Sequence, residues 1–311
     1  MASKQKTVIV TGASQGIGAG LVQSFLDRGY NVVANSRNIK KADTFIESDH
    51  LALVDGSIGE SAVASKIVET AIQKFGSIDA LVNNAGIFFT NPFTDYTAKD
   101  FKALSSTNLE GFLYVTQGAV KQMLAQKSGG SVVSITASLV VNPIAGIAAS
   151  VPMITKGGLE AVTRSLASEY AKEKIRFNAV APGVVDTPLH KNNPKHFLKT
   201  LSPMGTISDV KDIVEAVVYL TEARQERGRC CTWTAVRTQE NGKRQGLAAG
   251  QRGAPAAEAR HRTHASAYSV RRLCRGCKDG QSAVPQRYAS CRRTRAKVRR
   301  PSRERTGCER R

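Results

Sequence analysis

The chain has 311 residues and a formal net charge of +20, a length that by itself would suggest two domains. The charge is unevenly placed: from Thr221 onward lie 24 of the 45 Lys and Arg residues against 7 of the 25 acids, together with all six Cys and the single Trp. The segment before Thr221 has a net charge of only +3 and no Cys, which excludes disulfide support for its core and leaves any polycationic character to the tail.

Apolar, β-rich runs bounded by turn residues predict strands at 7–11, 31–34, 51–54, 80–83, 131–135 and 175–181. Helical spacing predicts helices at 17–28, ending at Gly29, and at 60–75, ending at Gly76. Strands that are apolar throughout and separated by helices imply a parallel sheet covered on both faces. The expected fold class is α/β: a doubly wound, Rossmann-like parallel sheet over residues 1–223, followed by a basic, low-complexity, disordered tail at 224–311. Met1 to Lys6 is short and polar and runs straight into a strand, and no apolar run is long enough for a bilayer. A soluble, cytoplasmic protein without membrane contact is expected.

Thr11-Gly12-Ala13-Ser14-Gln15-Gly16-Ile17-Gly18 joins the first strand to the first helix. Glycine allows a tight turn there and lets a pyrophosphate approach amides that the helix dipole already favours for anions. Gly12, Ser14, Gly16, Ile17 and Gly18 are therefore candidate phosphate-binding residues. At the end of the second strand, where a carboxylate would bind the adenine-ribose hydroxyls of NAD, the chain reads Ala34-Asn35-Ser36-Arg37-Asn38. Ser36 and Arg37 offer a hydroxyl and a guanidinium to a 2′-phosphate, so NADP(H) is expected over NAD(H), the alternative being that Arg37 is a solvated surface charge.

The Gly-x-x-x-Gly-x-Gly spacing after Thr11 resembles the short-chain dehydrogenase/reductase family, and further matches follow in order to about Ala223. The resemblance implies that Asp55 lies against the adenine, that Asn84, Ala85 and Gly86 line the cofactor's ribose, and that Asn108 is the helix asparagine of the catalytic set. It also implies that Pro182, Gly183, Val185 and Thr187 line the nicotinamide. Hydride exchange between a small-molecule carbonyl or alcohol and the cofactor is the implied activity.

The catalytic centre departs from the family pattern. Lys156 is in place and is expected to bind the nicotinamide ribose and to pass protons through water to Asn108, but the position four residues earlier, a Tyr in the family, is Pro152. Proline has no proton to give, although it suits the first turn of a helix. Ser138 is the candidate hydroxyl for polarising a carbonyl, with Thr136 as the alternative register, and either could be satisfied by backbone instead. Tyr96 and His190 are candidate substitute acids. A nucleotide-binding protein without catalysis is the competing reading.

Where the family ends with one more strand, the chain reads Gly228-Arg229-Cys230-Cys231-Thr232-Trp233-Thr234-Ala235-Val236. Read one nucleotide earlier, Cys-Cys gives Leu and Trp-Thr gives Asp with any codons, and with G- or C-ending codons the whole run becomes Val-Leu-His-Val-Asp-Gly-Gly-Ala, the expected missing strand. A frame change near Glu226 also explains the swap of Lys for Arg, and it makes the Cys274/Cys277 pair a coincidence rather than half of a metal site. No metal and no specific nucleic acid are expected. A homo-oligomer is expected where the terminus is intact.

Overall fold

The computed structural model describes residues 5–42, 44–202 and 204–223. The tail readings, including the frame change, the missing strand and the Cys274/Cys277 pair, lie outside the described residues. Six strands form one parallel sheet: β1 (Thr7–Thr11), β2 (Asn31–Ser36), β3 (Leu51–Asp55), β4 (Ala80–Asn83), β5 (Gly130–Ile135) and β6 (Ile175–Val180). Their order is β3-β2-β1-β4-β5-β6, so the winding reverses between β1 and β4. In an open α/β sheet the loops at the carboxyl ends of such neighbours diverge and leave a crevice.

Every residue of β1 and β4 is buried, as expected for strands covered on both faces. Val8 and Val10 turn to one side, against Leu21 and Phe25 of helix α1 (Gly16–Asp27) and Val214 and Val217 of α7 (Val210–Glu222). Ile9 turns to the other, against a cluster that holds Ile67 and Ala71 of α2 (Ser61–Phe75) and Val115, Ala119 and Met123 of α4 (Gly111–Gln126). Helices α3 (Ala98–Ser105), α5 (Ser150–Glu169) and α6 (Lys195–Thr200) complete the set. The doubly wound expectation is met, and each predicted strand agrees with an observed one to within two residues at either end. Among the described residues no helix is long and apolar enough to cross a membrane.

The last described helix is held to the sheet by a polar clasp. A helix ends with carbonyls that lack intrahelical donors, and the half-buried Arg176 guanidinium on β6 donates to two of them, Leu220 O and Thr221 O at 2.7 Å. Ser131 Oγ on β5 adds a longer bond to Leu220 O, 3.4 Å. Arg176→Met keeps the apolar stem and removes both charge-assisted bonds. It is expected to lower the unfolding free energy by about 1.5–3 kcal/mol, read as a lower urea midpoint at unchanged slope.

Candidate active site

The crevice at the sheet reversal is a cavity of about 830 Å³. Its floor is the turn between β1 and α1, and its shape depends on missing side chains. Gly12 sits at φ +66°, and a Cβ there would lie 2.7 Å from Ala85 Cα; a Cβ on Gly18 would lie 2.1 Å from Gly12 O. Neither contact is possible for a real methyl group. Gln15 caps α1 without a side-chain bond, and the first turn carries no acid. The first amides of α1, which by helix geometry have no intrahelical acceptor, are thus left facing an anion site.

Thr11 fastens this turn to the neighbouring strand end. Its Oγ1 donates to Val82 O at 3.3 Å and accepts from the amides of Asn84 and Ala85 at 3.2 and 3.1 Å. Asn84 Nδ2 donates back to Thr11 O and Gly12 O at 2.9 and 3.0 Å. On the other side the Ala13 amide donates to Asn35 O, and the buried Asn35 side chain donates to Val54 O and Gly56 O, so β1, β2 and β3 end in one bonded group. Asn35 was not among the sequence candidates. A polar residue closing the apolar run Val32-Val33-Ala34 was the available signal.

At the β2 end of the cavity, Ser36, Arg37 and Asn38 line the wall. Asp55 does not. Its Oδ1 accepts the Lys40 amide at 3.1 Å, bracing the turn behind Arg37, while Gly56, Ser57 and Ile58 form the wall beside it.

At the other end Lys156 lines the cavity from α5, with its Nζ donating to Ile135 O at 2.8 Å. Burial without a counter-ion pushes its pKa down to about 8. Asn108 lies on the turn Ser106–Glu110 and is buried behind the wall. Its Oδ1 accepts the Ile87 amide and its Nδ2 donates to Ile87 O and Thr155 Oγ1. Gly86 runs between them: a Cβ there would stand 3.0 Å from Lys156 Nζ and 3.2 Å from Asn108 Oδ1. Asn108 therefore holds the loop that faces Lys156 and does not itself line the cavity.

Pro152 is the third residue of α5, in the first turn as expected, and its carbonyl accepts from Thr155 Oγ1 at 2.8 Å. Both register candidates line the cavity, but Thr136 Oγ1 is bonded to Glu160 and Val180 O, whereas Ser138 has its amide bonded to Pro182 O. Tyr96 is removed as an acid by position. Its hydroxyl bonds Phe89 O, Ala148 O and the Asn91 amide, and the residue is not in the cavity wall. His190 is in the wall, on the short turn Pro188–His190, and burial lowers its pKa. Ser14, Gly16, Ile17, Pro182, Gly183, Val185 and Thr187 line the same cavity. No group of three or more His, Cys, Asp or Glu capable of holding a metal occurs among the described residues.

The short chain dehydrogenase family model matches residues 6–197. The 3-oxoacyl-[acyl-carrier-protein] reductase of Bos taurus is 34% identical over 221 residues, which cover 70% of this chain and 92% of that protein. Among solved structures, the 3-ketoacyl-(acyl-carrier-protein) reductase from Brucella melitensis complexed with NADH is similar with a TM-score of 0.65 at 28% identity, over 71% of this chain and 92% of that one. ElxO with NADP bound is similar with a TM-score of 0.67 at 25% identity, over 74% and 97%.

The lowered pKa of Lys156 has a definite sign in stability. Between about pH 8 and the ordinary lysine value of 10.5, the unfolded chain carries a proton on this group that the folded chain does not. Folding is therefore favoured as pH rises through that window and is opposed, by burial of the ammonium, below it. Relative to Lys156→Met, the wild type is expected to gain on the order of 1 kcal/mol per pH unit across the window, measured by urea unfolding at matched ionic strength. A pH-independent difference between the two proteins contradicts the assignment.

Proposed function

The chain belongs to the short-chain dehydrogenase family and is a nicotinamide-dinucleotide-dependent oxidoreductase, and from this premise we propose that it interconverts a carbonyl and an alcohol with NADP(H), slowed by proline at position 152. The observation that carries the reading is that one cavity wall joins the bare amides of the Gly12–Gly18 turn to Ser138 and Lys156. The residues present suit a dinucleotide: a cradle that a Cβ would fill, an uncapped helix start, and cationic groups without a carboxylate in the wall.

The amides of Ser14, Gly16, Ile17 and Gly18 would hold the pyrophosphate, and Ser36 and Arg37 would take a 2′-phosphate. Similar proteins are named with either NADH or NADP, so the preference rests on this chain's own residues. Asp55, which ends β3 beside Ser36, is turned to the Lys40 amide instead of the cavity. When bound, the cofactor supplies or accepts the hydride. Ser138 donates to the substrate oxygen, and Lys156 holds the ribose and raises the positive potential where oxygen charge develops. The proton comes from water or His190. Losing a positioned acid costs about 10²- to 10⁴-fold, less than the roughly 7–11 kcal/mol that alignment of two reactants can contribute.

Pro152 also favours a second reading, dinucleotide binding without turnover. Two measurements separate them. Calorimetry on the full chain is expected to give tighter binding of NADPH than of NADH by about 10- to 100-fold, a difference that Arg37→Asp abolishes. Ketone reduction by NADPH is expected to be slow and to rise about 10²- to 10⁴-fold in Pro152→Tyr. Tight NADPH binding with no turnover from either protein establishes the non-catalytic reading.

A further inference from the structure

The loops after β4, β5 and β6 occupy the half of the sheet opposite the Arg37 end, and they build a lobe of different chemistry. Its wall carries Phe88, Leu139, Ile144, Ile147, Leu189 and Phe197, with Thr90, Asn91 and Asn193 as uncharged polar groups among them. Among the described residues no Asp or Glu lines the cavity, and Arg37 and Lys156 are its only Lys or Arg. The segment after β6 has cations available, Lys191, Lys195 and Lys199, yet none of the three lines the cavity. Lys195 is instead paired with Asp186 at 2.8 Å, both exposed.

The lobe is braced and its mouth is apolar. The Asn91 amide donates to Ala148 O at 2.9 Å, joining the loop after β4 to the loop after β5, and the Tyr96 hydroxyl reinforces that junction. At the rim Leu189 and Phe197 remain 56% and 43% exposed. Apolar side chains left in water around a concave site mark a place where ligand surface completes the burial. The titratable group in the lobe, His190, is held toward its neutral form by burial.

We propose that the substrate taken by this lobe is an uncharged ketone or secondary alcohol bearing a hydrocarbon chain or ring, and that substrates with a carboxylate, phosphate or ammonium on that portion are rejected. The inference rests on the carbonyl–alcohol reading of the same site and adds the substrate class. A charge carried into the lobe loses its water and meets no opposite charge, whereas a hydrocarbon gains by covering the rim.

The test is equilibrium binding to the full chain saturated with NADP⁺, by calorimetry, using hexyl methyl ketone and its two analogues ending in a carboxylate and in an ammonium. The neutral ketone is expected to bind at least about a hundredfold more tightly than either charged analogue. In Phe197→Arg the carboxylate analogue is expected to gain at least about tenfold relative to the neutral ketone, which loses part of its apolar cover. Cofactor bound with the neutral ketone unbound, or bound no more tightly than a charged analogue, overturns the substrate class alone. Failure of NADPH and NADP⁺ to bind at all overturns the functional reading beneath it.

Discussion

Between β1 and α1 the chain folds back so closely that a methyl group on Gly18 would stand 2.1 Å from Gly12 O. The rest of the site depends on that contact, because it brings the unpaired amides of the α1 start to the mouth of the sheet, where an anion can reach them. Within the turn, Ala13 is buried in the core and Ile17 packs against it. The turn is also kept in place by Thr11, whose hydroxyl bonds three backbone groups of the next strand and its loop, and by Asn84, which returns two bonds to the turn. Folding the sheet and shaping this turn are in this respect one event: β1 and β4 cannot pair in register without placing Thr11 and Asn84 together.

The parts legible in the sequence were those controlled by periodicity or by the absence of a side chain. Buried parallel strands are apolar runs, and glycines at a strand-to-helix junction have few other uses, so β1 to β6 and the Gly12–Gly18 turn could be read directly. What could not be read was the direction of a polar side chain. Asp55 follows its strand as expected, but its carboxylate serves the Lys40 amide; Asn108 stands in the expected helix, but its amide serves Ile87. Tyr96 looked available as an acid and is consumed by three backbone groups of two loops. In each case a backbone group nearby, invisible in one dimension, claims the side chain; for the part-buried partners of Asn108 and Tyr96, leaving such a group unpaired costs about 1–3 kcal/mol. The same accounting sets Thr136 apart from Ser138, because Thr136 Oγ1 is bonded to Glu160 and Val180 O.

Pro152 is structurally well accommodated, which is why its chemical cost is easy to overlook. It occupies the third position of α5, where the missing N–H has no intrahelical partner to lose, and its carbonyl accepts Thr155 Oγ1. The deficit falls on Lys156. With no phenol on the preceding turn, its ammonium satisfies itself on Ile135 O and stays buried without a counter-ion, a state that lowers its pKa to about 8. A cation so poorly compensated has most to gain from an electron-rich oxygen entering the cavity. The cofactor's hydroxyls and the oxygen of a reacting carbonyl are groups of that kind.

Charge is thus sorted along the cavity. Arg37 lines its β2 end, Lys156 lines it from α5, and the lobe beyond is lined by aliphatic and aromatic groups with Thr90, Asn91, His190 and Asn193, while Lys191, Lys195 and Lys199 are kept out of the wall. Such sorting cannot be produced by periodicity, because residues 189–201 are short, mixed in polarity and hold only one brief helix. It is produced by the junction of that segment with the body of the domain: Leu198 is buried, and Val185 pairs with Ser208. Those anchors set which face of the segment meets the cavity, and with it whether Phe197 and Leu189 or the neighbouring lysines confront the substrate. A rotation of α6 by about half a turn, roughly two residues at 3.6 per turn, would exchange Phe197 for Lys195 and Lys199, so which groups face the lobe depends on the anchoring of α6 as much as on the identity of its side chains.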